Sequence, residues 1–245
     1  MMQQVYLVTG AGHFPGIGAN TAKKALELGN KVIVSSREVS SEWSRLIAEY
    51  DKSVTIVQGD IKDITVQQQL EEAVNEYGRL DVLVHNAANR NSAQAPTYED
   101  WTSELHMNVI VPYELTMRLQ SVLATNKGSV MMIGSRSGLM ATTANAIGYS
   151  TTKAAMHHLT KELALRLSPH IRVNCIAPGL TMSDRILAKF NGSEDLKSNI
   201  ESGFYKNSLL NRTVDPDDIA NMIITLANSK STTGQVISID CGASL

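Results

Sequence analysis

Residues 5–18 read VYLVTGAGHFPGIG, and this segment guides the interpretation of the rest of the chain. Its first five residues are apolar and rich in β-formers, which predicts a buried strand. Four glycines follow: Gly10, Gly12, Gly16 and Gly18. Ala19 to Leu28 is predicted to be a helix that Gly29 ends. A strand, a glycine loop and a helix in this order favour a pyrophosphate site, because glycine permits close approach and the helix N-terminus offers free N–H groups.

The end of the predicted second strand, 31–35, indicates which dinucleotide is bound. In a βαβ dinucleotide fold this end of the strand meets the adenosine ribose. A carboxylate there accepts a hydrogen bond from the 2′-hydroxyl of NAD, whereas an Arg there binds the 2′-phosphate of NADP. Here Ser36 and Arg37 follow the strand, with no acid at its tip. NADP(H) is therefore the expected cofactor. NAD is the less favoured alternative, which Glu38 keeps open.

Strands and helices alternate along the remaining chain. The further predicted strands are 54–57, 80–85, 129–133, 171–176 and 235–239, and the further predicted helices are 41–50, 65–77, 98–125, 149–167 and 216–227. Pro112 predicts a kink or break near Asn108. The alternation predicts an α/β fold, a single Rossmann-type domain over 1–245 with a doubly wound parallel sheet and helices on both faces. The irregular segment at about 180–212 is predicted to be a substrate loop or lid.

Tyr149 and Lys153 stand four residues apart in a predicted helix, so they share one face about one turn apart. An ammonium beside a phenol stabilises the phenolate, which favours proton exchange near neutral pH. The pair is therefore a candidate general acid/base. The spacing alone also fits two surface residues with no partnership.

Together with other motifs, these residues give the chain a resemblance to the short-chain dehydrogenase/reductase family over essentially its whole length. The Ile133-Gly134-Ser135 and Thr233-Gly234-Gln235 segments look like those of 3-oxoacyl-carrier-protein reductases. The matching motifs are the glycine loop after Thr9, then Asp60, Asn86-Ala87, Asn108, Ser135, Tyr149-x-x-x-Lys153 and Pro178-Gly179.

The resemblance implies a role for each matching residue. Tyr149 would be the general acid/base, Lys153 would hold the nicotinamide ribose, Ser135 would hydrogen-bond the substrate oxygen, and Asn108 would support the kinked helix and a proton-relay water. The implied cofactor-binding residues are Gly10, Gly12, Gly16, Ile17, Gly18, Ser36, Arg37, Asp60, Ile61, Asn86, Ala87, Tyr149, Lys153, Pro178, Gly179 and Thr181.

The glycine loop departs from the family pattern in two ways. Five residues separate Gly10 from Gly16, where the family usually has three, so His13-Phe14-Pro15 lengthens or reshapes the phosphate turn. Pro15 also stands where many NADP-using members carry a basic residue. A third, smaller departure is Asn86-Ala87-Ala88, which replaces the family's Asn-Ala-Gly.

The expected function is NADP(H)-dependent reduction of a carbonyl, a ketone and possibly a 3-oxoacyl group, to a secondary alcohol. Three alternatives stay open: an NAD(P)-dependent alcohol or sugar dehydrogenase, a pteridine reductase, and a catalytically idle NADP-binding sensor or scaffold. The expected partner is a small carbonyl or alcohol substrate. The resemblance also implies a homo-oligomer, a dimer or a tetramer.

Composition narrows the classes of partner. The 245 residues are 43% apolar and 19% charged, with a net charge of -2 and no basic stripe, so nucleic acid is not expected. The sequence contains no run of eighteen apolar residues, so a membrane-spanning helix is not expected. The N-terminal residues lack the features of a signal peptide, and a cytoplasmic protein is expected. The two cysteines and the adjacent His157 and His158 give no metal-ligand pattern.

Overall fold

The computed structural model describes residues 3–90, 95–141, 146–187, 195, 198, 202–203 and 208–245. Its strands are β1 (Val5–Thr9), β2 (Lys31–Ser36), β3 (Val54–Gln58), β4 (Val82–His85), β5 (Ser129–Ile133), β6 (Arg172–Pro178) and β7 (Val236–Ile239). All pairings are parallel, in the order β3-β2-β1-β4-β5-β6-β7. The predicted α/β fold with a parallel sheet is thus confirmed.

The helices of the described ranges lie between and after these strands. They are α1 (Ile17–Glu27), α2 (Glu42–Tyr50), α3 (Ile64–Tyr77), α4 (Tyr98–Leu105), α5 (Val111–Arg118), α6 (Gln120–Thr125), α7 (Ile147–Leu167), α8 (Asp184–Leu187) and α9 (Pro216–Asn228). Most predicted elements recur with ends shifted by one or two residues. Within the described ranges, no helix has the length and apolar character needed to cross a bilayer.

The predicted helix 98–125 is interrupted rather than continuous. A π-helical turn, His106–Ile110, separates α4 from α5, and Leu119 separates α5 from α6. Pro112 lacks the N–H that would bond the carbonyl of Asn108 in an α-helix, which explains the break at this place. The predicted kink near Asn108 is confirmed.

Alternate residues of the central strands point into two separate apolar layers. Leu7, Ile33 and Leu83 pack with residues of α3, α5 and α7, whereas Tyr6 and Val8 pack with residues of α1, α2 and α9. Because both faces are covered, the central strands are apolar throughout instead of alternating with polar residues.

The parallel arrangement brings the C-terminal ends of the strands to one edge of the sheet. β1 lies between β2 and β4, so the chain crosses to the opposite side of β1 after β3. A sheet of this type opens a crevice at such a switch point. The residues that follow β1, β4, β5 and β6 are thereby collected around one cleft.

Candidate active site

A cleft of about 710 Å³ runs along this edge of the sheet. Most of the residues proposed from the sequence line it: Gly10, Gly12, Gly16, Ile17, Ser36, Arg37, Asp60, Ile61, Asn86, Ala87, Ser135, Tyr149, Lys153, Pro178, Gly179 and Thr181. Gly18 and Asn108 lie behind the lining. The structure therefore brings all of these predicted residues except Gly18 and Asn108 to one continuous cavity.

The glycine loop passes close to neighbouring backbone at two points. Gly10 has φ +65°, and a Cβ there would lie 2.7 Å from the Cα of Ala87. A Cβ on Gly12 would collide with Ser36 and with the carbonyl of Glu38. Both positions thus require glycine. The Gly10 and Ala11 N–H groups donate to the Ser35 carbonyl (2.7 and 3.2 Å), so the N-terminus of α1 is the part of this segment suited to an anionic ligand.

The lengthened part of the loop is anchored to α2. The indole N–H of Trp43 donates to the carbonyl of Ala11 (2.9 Å), and the Phe14 ring lies 5.5 Å from the Trp43 ring. Trp43 itself is buried. The two extra residues are therefore accommodated by an aromatic contact that loop spacing alone did not reveal.

At the end of the cleft next to β2 and β3, Arg37 is exposed beside Ser36, whereas Glu38 is not among the lining residues. Lys62 also lines this end of the cleft, and its ammonium lies 3.3 Å from the Asp60 carboxylate. The same carboxylate accepts a hydrogen bond from the Lys62 backbone N–H (3.0 Å). Sequence reasoning missed Lys62. Its signal was a cation two residues after the acid at the end of β3.

Asn86 joins the ends of β1 and β4. Its side-chain amide donates to the carbonyls of Thr9 (3.0 Å) and Gly10 (2.7 Å), and its backbone N–H donates to the Thr9 hydroxyl (3.1 Å). A Cβ on Gly18 would lie 2.5 Å from the Asn86 amide nitrogen, which explains why glycine stands there. The Asn86 amide thus holds the glycine loop in place.

Tyr149 and Lys153 lie together on α7, as predicted. The Lys153 ammonium is 5.7 Å from the Tyr149 ring centroid, and it donates a hydrogen bond to the Ile133 carbonyl at the end of β5 (2.6 Å). Lys153 is buried, whereas Tyr149 is only partly covered. The geometry gives a fixed positive charge beside a phenol that faces the cleft.

Ser135 is held through both its hydroxyl and its backbone. Its Oγ accepts the Ser137 N–H (3.1 Å), which leaves the hydroxyl proton to donate elsewhere. Its own N–H donates to Nε2 of His157 (3.4 Å). Burial, together with the nearby Lys153 ammonium, lowers the pKa of His157 to about 4, so the ring is neutral and able to accept this bond.

His157 was missed as a site residue because sequence reasoning considered it only as a metal ligand. Its signal was the position four residues after Lys153 on the same helix face. His158 points away and lies 3.4 Å from Glu162 on the exposed side of α7. Across the described part of the chain, no three His, Cys, Asp or Glu side chains form a group that would hold a metal ion.

Asn108 connects three segments behind the cleft. Its Oδ1 accepts the Asn89 N–H (2.8 Å), and its Nδ2 donates to the Asn89 carbonyl (2.8 Å) and to the Thr152 hydroxyl (3.0 Å). Thr152 in turn donates to the Tyr149 carbonyl (2.9 Å). The π-helical turn therefore ties the segment after β4 to the helix that carries Tyr149.

Comparison with known proteins agrees with this arrangement. A family model described as Enoyl-(Acyl carrier protein) reductase matches residues 10–244. The chain is 30% identical to a Streptomyces violaceoruber protein assigned as ketoacyl reductase 2 of the granaticin polyketide synthase, over 98% of this chain and 96% of that protein. It is 31% identical to the rhamnolipids biosynthesis 3-oxoacyl-[acyl-carrier-protein] reductase of Pseudomonas aeruginosa, over 98% and 95% of the two chains.

A solved structure shares the fold over nearly the full length. The RhlG/NADP active-site complex of Pseudomonas aeruginosa superposes with a TM-score of 0.87 at 28% identity, covering 99% of this chain and 96% of that one. Similarity therefore extends over the sheet, the glycine loop and the helix that bears Tyr149 and Lys153.

Proposed function

Because the chain belongs to the short-chain dehydrogenase/reductase family, we propose that it reduces the carbonyl group of a small ketone to a secondary alcohol with NADPH. One observation supports this proposal most strongly. Tyr149, Lys153 and Ser135 meet at one end of a cleft whose other end carries the glycine loop and Arg37. A proton donor and an oxygen-binding hydroxyl thus share a cavity with a dinucleotide cradle.

The cleft fits an NADP molecule by shape and by charge. Gly10 and Gly12 let the loop pass close to Ala87, Ser36 and Glu38, and the α1 N-terminus adjoins the cleft with no acid in its first turn. Ser36 and Arg37 would bind the 2′-phosphate, while Pro178 and Gly179 would flank the nicotinamide half. The NADP complex of the Pseudomonas aeruginosa relative supports the same choice. When bound, the cofactor supplies the hydride.

Two hydroxyl groups of the chain would act on the substrate oxygen. Ser135 would donate its free hydroxyl proton to the carbonyl oxygen, which orients and polarises the carbonyl. Tyr149 would then donate a proton to the same oxygen as the alcohol forms. The fixed charge of Lys153 would stabilise the phenolate that this transfer leaves.

Contacts behind the cleft hold the Tyr149 and Ser135 hydroxyls in position. The Asn108–Thr152 bond holds the first turns of α7 against the π-helical turn, and His157 holds the backbone of Ser135. We assign Asn108 to positioning and to a proton-relay water that would resupply Tyr149. Removal of such a support costs catalysis because reacting groups lose alignment.

We propose that residues 180–212 form a substrate lid on a single domain. In the described part, the Val214 N–H donates to the Leu180 carbonyl (2.8 Å), which joins the two ends of the segment, and α8 follows Thr181. Most of 188–207 lies outside the described residues. A long loop with a closed base beside a cleft is a common form of lid.

We also propose a cytoplasmic homo-oligomer. Apolar side chains on α4, on α5 and on the turn between them are exposed, among them Leu105, Ile110, Tyr113 and Met117. Burial against a second copy would remove this surface from water.

The test is a panel assay of the wild-type protein. NADPH oxidation is followed with 3-oxoacyl thioesters, diketones, quinones, dihydropteridines and short keto acids, with 2-enoyl thioesters as the comparison that contains a reducible C=C bond. We expect a secondary alcohol from at least one ketone. Tight NADPH binding without turnover of any carbonyl, or reduction of the enoyl compound alone, would contradict the proposal.

A further inference from the structure

Arg90 places a positive charge at the substrate end of the cleft. It follows β4 by a few residues, and its guanidinium carbon lies 5.2 Å from the centroid of the Tyr149 ring. The side chain is half-buried and lines the same cavity as Ser135 and Tyr149. The Arg90 guanidinium therefore lies close to the place where the substrate carbonyl is proposed to react.

Apart from the Tyr149 ring, this guanidinium has no hydrogen-bond or ion-pair partner among the described residues. Its Nε–H is shielded from solvent and forms no hydrogen bond, and no described carboxylate forms an ion pair with it. The two other cations at this end are engaged, because Arg136 donates to the Ala243 carbonyl (2.7 Å) and Lys153 donates to the Ile133 carbonyl (2.6 Å). Among the described residues at the substrate end, Arg90 is thus the cation whose shielded N–H is left for a ligand.

The charged residues that line the cleft also favour an anionic ligand at its substrate end. Asp60 is the acidic residue among the described lining residues, and it lies after β3, where it pairs with Lys62. The substrate end combines Arg90, Arg136 and Lys153, and none of its described lining residues is an acid. A neutral ketone would leave the shielded N–H of Arg90 unsatisfied, whereas an anion would satisfy it.

We propose that the substrate is a keto acid whose free carboxylate binds Arg90 while its ketone lies at Tyr149 and Ser135. The planar guanidinium matches a carboxylate with two parallel hydrogen bonds, and such charge-assisted bonds are stronger than neutral ones. Because Arg90 adjoins the Tyr149 ring, the carboxylate lies only a few bonds from the ketone. A carrier-protein thioester has no charge at that place, so the inference narrows the substrate class.

The inference rests on the proposed carbonyl reduction. Matched pairs of substrates distinguish recognition of a carboxylate from carbonyl reduction itself. We would measure kcat/KM with NADPH for pyruvate, acetoacetate and 4-oxopentanoate, each against its methyl ester. The wild type should prefer at least one acid by about 10- to 100-fold. Turnover of the esters without any preference for an acid would refute the keto-acid assignment and leave carbonyl reduction intact.

Arg90→Gln and Arg166→Gln form the variant pair. Both remove one positive charge, but Arg166 is an exposed residue of α7 that pairs with Glu162. Arg90→Gln should bring the ratio of kcat/KM for the acid to that for the ester down to about one, while Arg166→Gln should keep the wild-type ratio. An equal fall with acid and ester in Arg90→Gln would show that Arg90 only supports Tyr149.

A binding measurement tests whether Arg90 binds a carboxylate, and it requires no turnover. Butyrate and the isosteric, uncharged butyramide are titrated into the NADP⁺-loaded protein by calorimetry. We expect butyrate to bind at least 10-fold more tightly than butyramide, and Arg90→Gln to remove the difference with unchanged NADPH affinity. Equal binding of the two compounds, or butyrate binding that survives Arg90→Gln, would overturn the inference even if no ketone is reduced.

Discussion

At the scale of the residue, His157 connects protein stability to the geometry of Ser135. Its neutral Nε2 accepts the Ser135 N–H, and its pKa of about 4 lies well below the ordinary value of 6.5. Protonation would both place a charge in a buried site and remove the acceptor of this bond. Because the pKa is lowered, this loss of the Ser135 contact should occur only as the pH approaches 4.

The sign of the pH effect follows from the lowered pKa. Between about pH 6.5 and pH 4 the unfolded chain binds a proton at His157 that the folded protein does not, so stability falls as pH falls through this window. The loss from pH 7.5 to pH 5 should be about 2 kcal/mol from this residue. The measurement is the free energy of unfolding in urea at both pH values.

His157→Gln and His158→Gln test the assignment. The first variant should lose most of that 2 kcal/mol of pH dependence, about the contribution of one strongly shifted histidine. The second should behave like the wild type, because His158 is exposed. Equal pH dependence in all three proteins would show that another group titrates, with buried His85, whose pKa is lowered to about 3, as the next candidate.

We propose that Ser36 and Arg37 determine the choice between NADPH and NADH. Arg37→Ala should weaken NADPH binding by about 10- to 150-fold, the value of a charge-assisted hydrogen bond, and should leave NADH nearly unchanged. Ser36→Asp should shift the preference toward NADH, because a carboxylate repels the 2′-phosphate. The readout is kcat/KM for both cofactors.

Arg45→Ala, on the exposed face of α2 and away from the cleft lining, provides the control for loss of a positive charge. If the wild type prefers NADH, or if Arg37→Ala weakens both cofactors equally, the 2′-phosphate assignment fails. Glu38 would then be the residue to test.

At the scale of the element, the glycine loop depends on α2 for its shape. Trp43→Phe keeps an aromatic ring against Phe14 but removes the N–H that bonds the Ala11 carbonyl. Loss of such a bond costs about 0.5–1.5 kcal/mol, so we expect NADPH affinity to fall by roughly 2- to 12-fold. Titration followed by the fluorescence of NADPH measures this directly.

Trp101→Phe is the matched control, since Trp101 lies on α4 and does not line the cleft. Its NADPH affinity should equal that of the wild type. If Trp43→Phe binds NADPH as tightly as Trp101→Phe does, the aromatic anchor has no part in cofactor binding.

The interrupted helix shows what local sequence determines and what it does not. Pro112 revealed the break near Asn108 because the missing N–H is a local property of the chain. The partners of Asn108, by contrast, are Asn89 and Thr152, which are distant in sequence. Sequence thus located the kink, and only the fold explains what the kink supports.

At the scale of the whole molecule, the alternation of strands and helices was enough to predict the parallel sheet. Buried apolar strands and glycine-ended helices are periodic signals that need no tertiary information. Trp43 beneath the glycine loop and Arg90 beside Tyr149 had no such periodic signal, and Lys62 had only its spacing from Asp60. Their roles depend on contacts between elements that come together only in the folded sheet.

The central claim is that Tyr149 donates the proton in carbonyl reduction, and one substitution tests it. Tyr149→Phe keeps the ring that packs near Lys153 and Arg90 but removes the hydroxyl. With the best ketone of the panel, kcat for NADPH oxidation should fall by about 10²- to 10⁴-fold, the contribution of a general acid, while the NADPH dissociation constant stays within threefold. Retention of more than about a tenth of wild-type kcat would contradict the account.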